Sequence, residues 1–210
     1  MRVIAIDGPA GSGKSTVAKE LARRLNVDYL DTGAMYRAIA FAALSRGVDP
    51  EDAERVADIA RNAEIEVDER GVRIDGVDAT VEIRGPEVTR SVSVVAANPV
   101  VRSELRARQR EWARRRGGGV IEGRDIGSVV FPEAQVKVYL TANPEVRAGR
   151  RAKEVTDLDY HTVAADIAAR DAYDQSRTHD PLAMAPDAVQ IDTTHLSVDE
   201  VVARIEELVS

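Results

Sequence analysis

The chain has 210 residues, 44% of them hydrophobic and 31% charged, and carries no cysteine. That length suits one well-packed α/β domain with an insertion, and the missing cysteines exclude disulfides and thiolate chemistry. A net charge of −7 argues against DNA or RNA as a partner, so any phosphate must be met by locally grouped cations.

The first expected strand starts at about Arg2 and a glycine loop arrives at Gly8, so no secretory signal is expected. The longest apolar stretch, near AIAFAAL, is too short to span a bilayer. A soluble cytoplasmic protein is the expectation, with no membrane contact.

The strand VIAI (3–6) runs into GPAGSGKST (8–16). The spacing from Gly8 to Gly13-Lys14-Ser15 fits G-x-x-x-x-G-K-[ST], the phosphate-binding loop. Gly8, Gly11 and Gly13 permit backbone turns that a Cβ would obstruct, so successive N–H groups can point at a phosphate. Lys14 brings a cation to the β- and γ-phosphates, and the Ser15 hydroxyl is a Mg²⁺ ligand. Gly8, Pro9, Ala10, Gly11, Ser12, Gly13, Lys14, Ser15 and Thr16 are therefore the candidate nucleoside triphosphate contacts. A chance glycine turn matches such a pattern too. The helix of STVAKELARRL, with Val17, Ala18, Leu21, Ala22 and Leu25 on one face, supplies the context a chance match lacks.

A second strand, VDYL (27–30), leads into DTGAMYR (31–37) and a helix over 34–44. From Glu64 to Glu82, EIEVDERGVRIDGVDATVE alternates apolar and polar residues around Glu-Arg-Gly and Asp-Gly turns. That period of two predicts a small antiparallel meander, an inserted lobe bounded near residues 63 and 98 and standing beside the phosphate loop. Decoration of a sheet edge is the plainer reading. A helix over 100–115 follows; Trp112 marks its packed face, and the Arg114–Arg116 run marks its end before Gly117-Gly118-Gly119. Strands GVIEG (119–123), QVKVYL (135–140) and DAVQI (187–191) complete the core, with a helix over 146–155 among them. SVDE (197–200) is a capping box opening the last helix. Strands spaced by helices predict a parallel sheet covered on both faces.

A GTPase switch should carry N-K-x-D, which is absent; DERG (68–71) resembles a switch motif but falls in the meander turn. An ATP-driven motor needs a long apolar strand ending in adjacent acids, whereas the corresponding strand here ends Glu122-Gly123-Arg124-Asp125. Arginines stand where loops after the carboxyl ends of parallel strands line a crevice: Arg37, Arg124, and those of RDAYDQSR (170–177). Arg37 and Arg124 are expected to face the phosphate loop, as a second phosphorylated ligand requires. The phosphate is then given away, to a small phosphate ester.

Blander readings stay open on these residues. Arg147, Arg150 and Arg151 share a helical face and could form a solvated stripe with Glu145 and Glu154. Arg124 could pair with Asp125, and Arg170, Asp174 and Arg177 could be internal ion pairs. His161, His179 and His195 have no metal-ligand spacing. A kinase for another small acceptor, or a nucleotide-binding regulator without transfer, also remains open.

GPAGSGKST, DTGAMYR, the meander, NPVVR, EGRDIGSVVFP, the three arginines from 147 to 151 and RDAYDQSR come in one order. In that order the chain resembles, from end to end, the bacterial cytidylate kinase family of nucleoside monophosphate kinases. The resemblance implies an α/β P-loop NTPase fold: a five-stranded parallel sheet in order 2-3-1-4-5 flanked by helices, an inserted small antiparallel β lobe and a helical lid. It implies core segments 1–62, 99–143 and 161–210, a monophosphate-binding insert at about 63–98 and a lid at about 144–160.

It further implies phosphorylation of CMP and dCMP by ATP, with Mg²⁺ entering alongside the nucleotide. By resemblance, the acceptor phosphate falls to Arg37 and Arg124 with Lys14 nearby. Cytosine falls to Thr32, Arg102, Asp125 and Arg177, and ribose to Ser93, Arg170 and Asp174. Tyr36 lies beside the acceptor, and Arg147, Arg150 and Arg151 approach the ATP phosphates as the lid closes. Glu122, where many family members have aspartate, would reach Mg²⁺ through water; Thr32 stands where serine is common. Cytosine N4 is a donor that suits the Asp125 carboxylate, whereas uracil would set O4 against it. A monomer is the default expectation.

Overall fold

The computed structural model describes residues 1–68, 70–154 and 159–209. Positions 155–158 of the expected lid, the end of the helix expected over 146–155, and Glu69 of the meander turn lie outside the described residues, as does the side chain of Glu154.

In chain order the elements are β1 (Arg2–Asp7), α1 (Lys14–Leu25), β2 (Tyr29–Asp31), α2 (Thr32–Ser45), α3 (Ala53–Asn62), β3 (Ile65–Asp68), β4 (Gly71–Ile74) and β5 (Val77–Asp78). They continue as α4 (Pro86–Ala97), α5 (Pro99–Arg116), β6 (Gly118–Gly123), β7 (Val136–Thr141), α6 (Pro144–Glu154), α7 (Tyr160–Ser176), β8 (Val189–Asp192) and α8 (Val198–Val209). A 3-10 turn covers Glu82–Arg84 and a π-helical turn covers Ile126–Val130.

The main sheet has five strands in the order β2-β6-β1-β7-β8, and β1 pairs parallel with both β6 and β7. In core-strand terms this is the expected 2-3-1-4-5. Every residue of β1 beyond Arg2 is buried, as a central parallel strand covered on both faces requires. Register does the positioning: Asp7 lies opposite Gly123 of β6 and Tyr139 of β7. The phosphate loop and the segment carrying Arg124 and Asp125 therefore leave the sheet at the same edge.

Some element ends differ from the expected ones. Val27 and Asp28 are not strand, because Asn26 takes a left-handed conformation (φ 51°) that closes α1, and the Val27 N–H donates to Ala22 O at 3.0 Å. α2 starts two residues early, at Thr32, because the Asp31 carboxylate caps it by accepting the Ala34 N–H at 2.9 Å. α3 and α4 add helices between the second strand and α5, α3 being capped by Asp52 and α4 opening on Pro86.

Two compact units divide the chain: residues 1–29 with 113–210, and residues 30–112. In the first, α1 packs against α8 and β6, and Ile4, Ile6, Leu21, Val138, Leu140 and Ile205 are among its core residues. The expected capping box opens α8: Ser197 N–H donates to Glu200 Oε2 at 2.8 Å, and Glu200 N–H returns to Ser197 Oγ at 3.3 Å. In the second unit, α2 packs on α3, α4 and the antiparallel sheet β3-β4-β5. The segment 63–98 is thus part of a larger unit, because the apolar faces of α2 and α3 supply much of its core.

Candidate active site

Within the first unit, the loop 8–16 carries β1 into α1. Gly13 caps α1 with φ 90°, and the first helical turn has no acidic residue and no side-chain cap. The N-terminal dipole and N–H groups are thereby left for an anion. Ser15 and Thr16 are exposed on that turn. Close packing also demands two of the glycines. A Cβ on Gly8 would stand 2.2 Å from Leu140 O, and one on Gly11 2.7 Å from Arg147 O. The loop is pressed against the end of β7 and the backbone of α6.

Three consecutive loop carbonyls each accept from a different cation. Arg124 Nη1 donates to Gly8 O at 3.0 Å, Lys14 Nζ to Pro9 O at 2.7 Å and Arg147 Nη1 to Ala10 O at 3.1 Å. Burial and the neighbouring Arg124 guanidinium bring Lys14 down to about 7, with Arg170 pushing the same way and Glu122 and Asp171 opposing.

The helix α7 supplies the counter-charges. Asp171 accepts the Ala10 N–H at 3.1 Å, accepts from Arg124 at 3.5 Å and pairs with Arg147. Asp174 pairs with Arg124 at 3.3 Å and with Arg177 at 3.6 Å. Arg124 thus pairs with two α7 carboxylates. Arg150 donates to both Thr193 Oγ1 (2.9 Å) and Thr193 O (2.7 Å), while the Thr193 hydroxyl lies 3.0 Å from Ser12 O. Arg147 and Arg150 therefore turn to the loop and the end of β8 instead of forming a solvated stripe; the Arg147 side chain is 13% exposed. Arg151 lies one residue further along α6 and is half-buried, and Arg170 precedes Asp171 on α7.

The turn after Arg124 and Asp125 is pinned from β1. Asp7 accepts the Ile126 N–H at 2.8 Å and the Gly127 N–H at 2.7 Å. Burial outweighs these bonds and pushes the Asp7 carboxyl up to about 7. Asp125 is buried at the head of this turn. Glu122, 4% exposed, accepts the Tyr29 hydroxyl at 2.6 Å.

Sequence reasoning missed Asp7, Tyr29, Asp171 and Thr193. An acid closing an otherwise apolar strand was a usable signal for Asp7. Asp171 sits inside RDAYDQSR, between Arg170 and Asp174, with no spacing that sets it apart from them. Nothing local marks Tyr29 or Thr193, whose partners lie far along the chain.

Within the second unit, Thr32, Tyr36 and Arg37 lie along the first turns of α2, with Thr32 one turn before Tyr36. Arg37 Nη1 donates to Thr89 Oγ1 of α4 at 2.9 Å and to Ile83 O at 3.0 Å. Arg102, 4% exposed on α5, places its guanidinium 5.7 Å from the Tyr36 ring centre and donates to Ala96 O at 3.2 Å. Ser93 is half-buried on α4.

Among the described residues no group of three or more His, Cys, Asp or Glu could hold a metal ion alone. Mg²⁺ in nucleotide sites is held by one or two protein oxygens plus phosphates and waters. The exposed Ser15 hydroxyl and the Glu122 carboxylate at the end of β6 are hard oxygen donors of that kind, so the residues fit. Among the described residues, no helix is long and apolar enough to cross a membrane.

A family model described as cytidylate kinase matches residues 4–210. The chain belongs to the cytidylate kinase family. A cytidylate kinase of Geobacillus kaustophilus is 50% identical over 216 residues, covering 99% of this chain and 96% of that one. Another, of Desulfitobacterium hafniense, is 49% identical over 212 residues, covering 98% and 91%. The solved structure of an uncharacterized protein from Eubacterium ventriosum matches the fold with a TM-score of 0.51 at 13% identity, covering 99% of this chain and 97% of that one. The cytidylate kinase match takes in the phosphate loop, the meander and the arginines alike, so both compact units lie inside it.

Proposed function

We propose that this protein transfers the γ-phosphoryl group of ATP to CMP and dCMP, giving CDP or dCDP and ADP. One observation carries the reading beyond family membership: Lys14, Arg124 and Arg147 converge on three consecutive carbonyls of the phosphate loop. Phosphoryl transfer depends on positioned cations more than on a base, and a nucleotide sensor has no need of so many.

ATP would lie on residues 8–16, its phosphates drawing Lys14 off Pro9 O and favouring the charged lysine. Mg²⁺, held by Ser15 and through water by Glu122, would supply neutralisation of phosphate charge. Arg37 and Arg124 take the acceptor phosphate; Thr32, Arg102, Asp125 and Arg177 read cytosine; Ser93, Arg170 and Asp174 hold ribose; Tyr36 flanks the acceptor. A CMP phosphate oxygen, already ionised at neutral pH, attacks the γ-phosphorus in line. Lys14, Arg37, Arg124, Arg147, Arg150 and Arg151 spread the developing charge. Residues 63–98 act as the monophosphate-binding insert and 144–160 as the lid, whose closure excludes water. The substrates are small molecules met in the cytoplasm, a monomer is the default state, and the net charge of −7 is unsuited to a nucleic acid polymer.

The test is ADP release from MgATP with CMP, dCMP, UMP, AMP, GMP or TMP against a no-acceptor control. Fast turnover with CMP and dCMP and little with purines is expected. Activity confined to another acceptor would discard the cytosine contacts, and no acceptor-dependent ADP would leave a regulator.

A further inference from the structure

We infer that Asp171 is a positioning residue for phosphoryl transfer: one carboxylate that sets where Arg124 and Arg147 stand against the phosphate loop. The inference rests on the kinase reading above. Asp171 is 6% exposed on α7 and touches three other parts of the first unit at once. Its Oδ1 accepts the Ala10 N–H at 3.1 Å and the Arg124 Nη1 at 3.5 Å, while Oδ2 pairs with Arg147 Nη1. The same two nitrogens also donate to the loop carbonyls of Gly8 and Ala10, at 3.0 and 3.1 Å. Loop backbone, arginines and carboxylate therefore close a ring in which each guanidinium has two fixed acceptors. Residues 10 and 171 are separated by 161 positions, so this ring joins the start of the fold to its late helices.

The chemistry gives Asp171 no direct use toward a phosphate, since an anionic acceptor repels one. Its effect must pass through the arginines. A free arginine side chain samples many rotamers, and its planar fork is useful only when aimed. A carboxylate shared by two guanidiniums through their Nη1 atoms aims both, and leaves the two Nη2 N–H donors of each for phosphate oxygens. Asp174 pairs with Arg124 from the next turn of α7, which restrains that arginine further.

Removing the Asp171 charge therefore has two opposed consequences. The site becomes more positive, so MgATP binds no more weakly. The arginines lose their fixed aim, so the step that depends on geometry slows. A residue that only held the fold together would not separate these two readouts.

The experiment compares the whole protein with Asp171→Asn, Asp171→Glu, Arg147→Ala and the Asp171→Asn/Arg147→Ala double variant. Turnover is measured with MgATP and CMP, and competent sites are counted by binding of a non-hydrolysable ATP analogue. Asp171→Asn is expected to lower kcat per competent site by about 10- to 100-fold, the scale of a small misplacement of catalytic groups. Its KM for MgATP should be no higher than wild type, and Asp171→Glu should recover part of the loss. The double variant should fall well short of the product of the single effects, because both changes act on one arginine.

A kcat for Asp171→Asn within about twofold of wild type, a loss confined to KM, or fully multiplicative effects would overturn the inference. Should Asp171→Asn fail to fold, Asp171→Glu decides alone: it keeps the charge but displaces it, so an unchanged kcat overturns positioning and a lowered kcat with unchanged KM supports it. An inert wild type overturns the kinase reading and this inference together, whereas an active wild type with an unaffected variant overturns the inference alone.

Discussion

Tyr29 donates its hydroxyl to Glu122 Oε1 at 2.6 Å, so the first residue of β2 anchors the carboxylate near the carboxyl end of β6. Lys19 Nζ lies 5.6 Å from the same tyrosine ring centre, which helps hold the ring in place. Glutamate carries one more methylene than aspartate and is harder to aim; the phenol supplies the aim. Tyr29→Phe keeps the ring and removes this bond. It is expected to raise the Mg²⁺ concentration for half-maximal activity by about two- to tenfold, the range of one lost hydrogen bond. Turnover at saturating Mg²⁺ should stay close to wild type. A Mg²⁺ titration checks this, and an unchanged midpoint would detach Glu122 from the metal.

Asp7 makes stability depend on pH in a direction opposite to that of a salt-bridged carboxylate. Its folded value lies near 7 while its ordinary value is 3.8, so between those limits the folded chain holds a proton that the unfolded chain has released. The contribution of this group is most favourable below 3.8 and is lost as pH rises toward about 7. Asp7→Asn, which cannot ionise, should flatten that part of the profile. Below pH 3.8 it should be less stable by about 1–3 kcal/mol, since its amide accepts only one of the two N–H groups of Ile126 and Gly127, and this gap should narrow as pH rises toward about 7. Urea unfolding at a series of pH values measures both effects. A variant with the wild-type slope would remove Asp7 as its source.

Asp125 is the group assigned to cytosine N4. Asp125→Ala is expected to erode the CMP-over-UMP preference by about tenfold to a hundredfold, the cost of one buried polar mismatch of 1–3 kcal/mol. The KM for MgATP should change little by comparison. Ratios of kcat/KM for CMP and UMP measure this, and a preference ratio unchanged by the substitution would take cytosine recognition away from Asp125.

What was legible in the sequence was local. The loop from Gly8 to Thr16 follows a buried strand and opens a helix, and each of those facts is written within a few residues. The Asp75-Gly76 turn, with φ of 50° and 78°, is the left-handed pair that such a dipeptide favours between antiparallel strands, and it sets the meander. Ser197 and Glu200 cap α8 reciprocally because both partners lie within one turn. The rest required tertiary structure. Asp31 can cap a helix or end a strand, and only folding decides; here it does both. The arginines were visible, but not which carboxylate each would meet. Arg124 meets Asp171, 47 positions away, and Arg147 meets the same acid from 24 positions away. Pairings of that range leave no period or spacing in the chain.

The most direct test of the central claim follows the γ-phosphate itself. The protein is incubated with ATP labelled in the γ position, Mg²⁺ and CMP, and the labelled products are separated. The account predicts label in CDP, one CDP formed for each ADP, with little label in inorganic phosphate. Label that passes to water in the presence of CMP, or stays in ATP while the nucleotide is demonstrably bound, would contradict it.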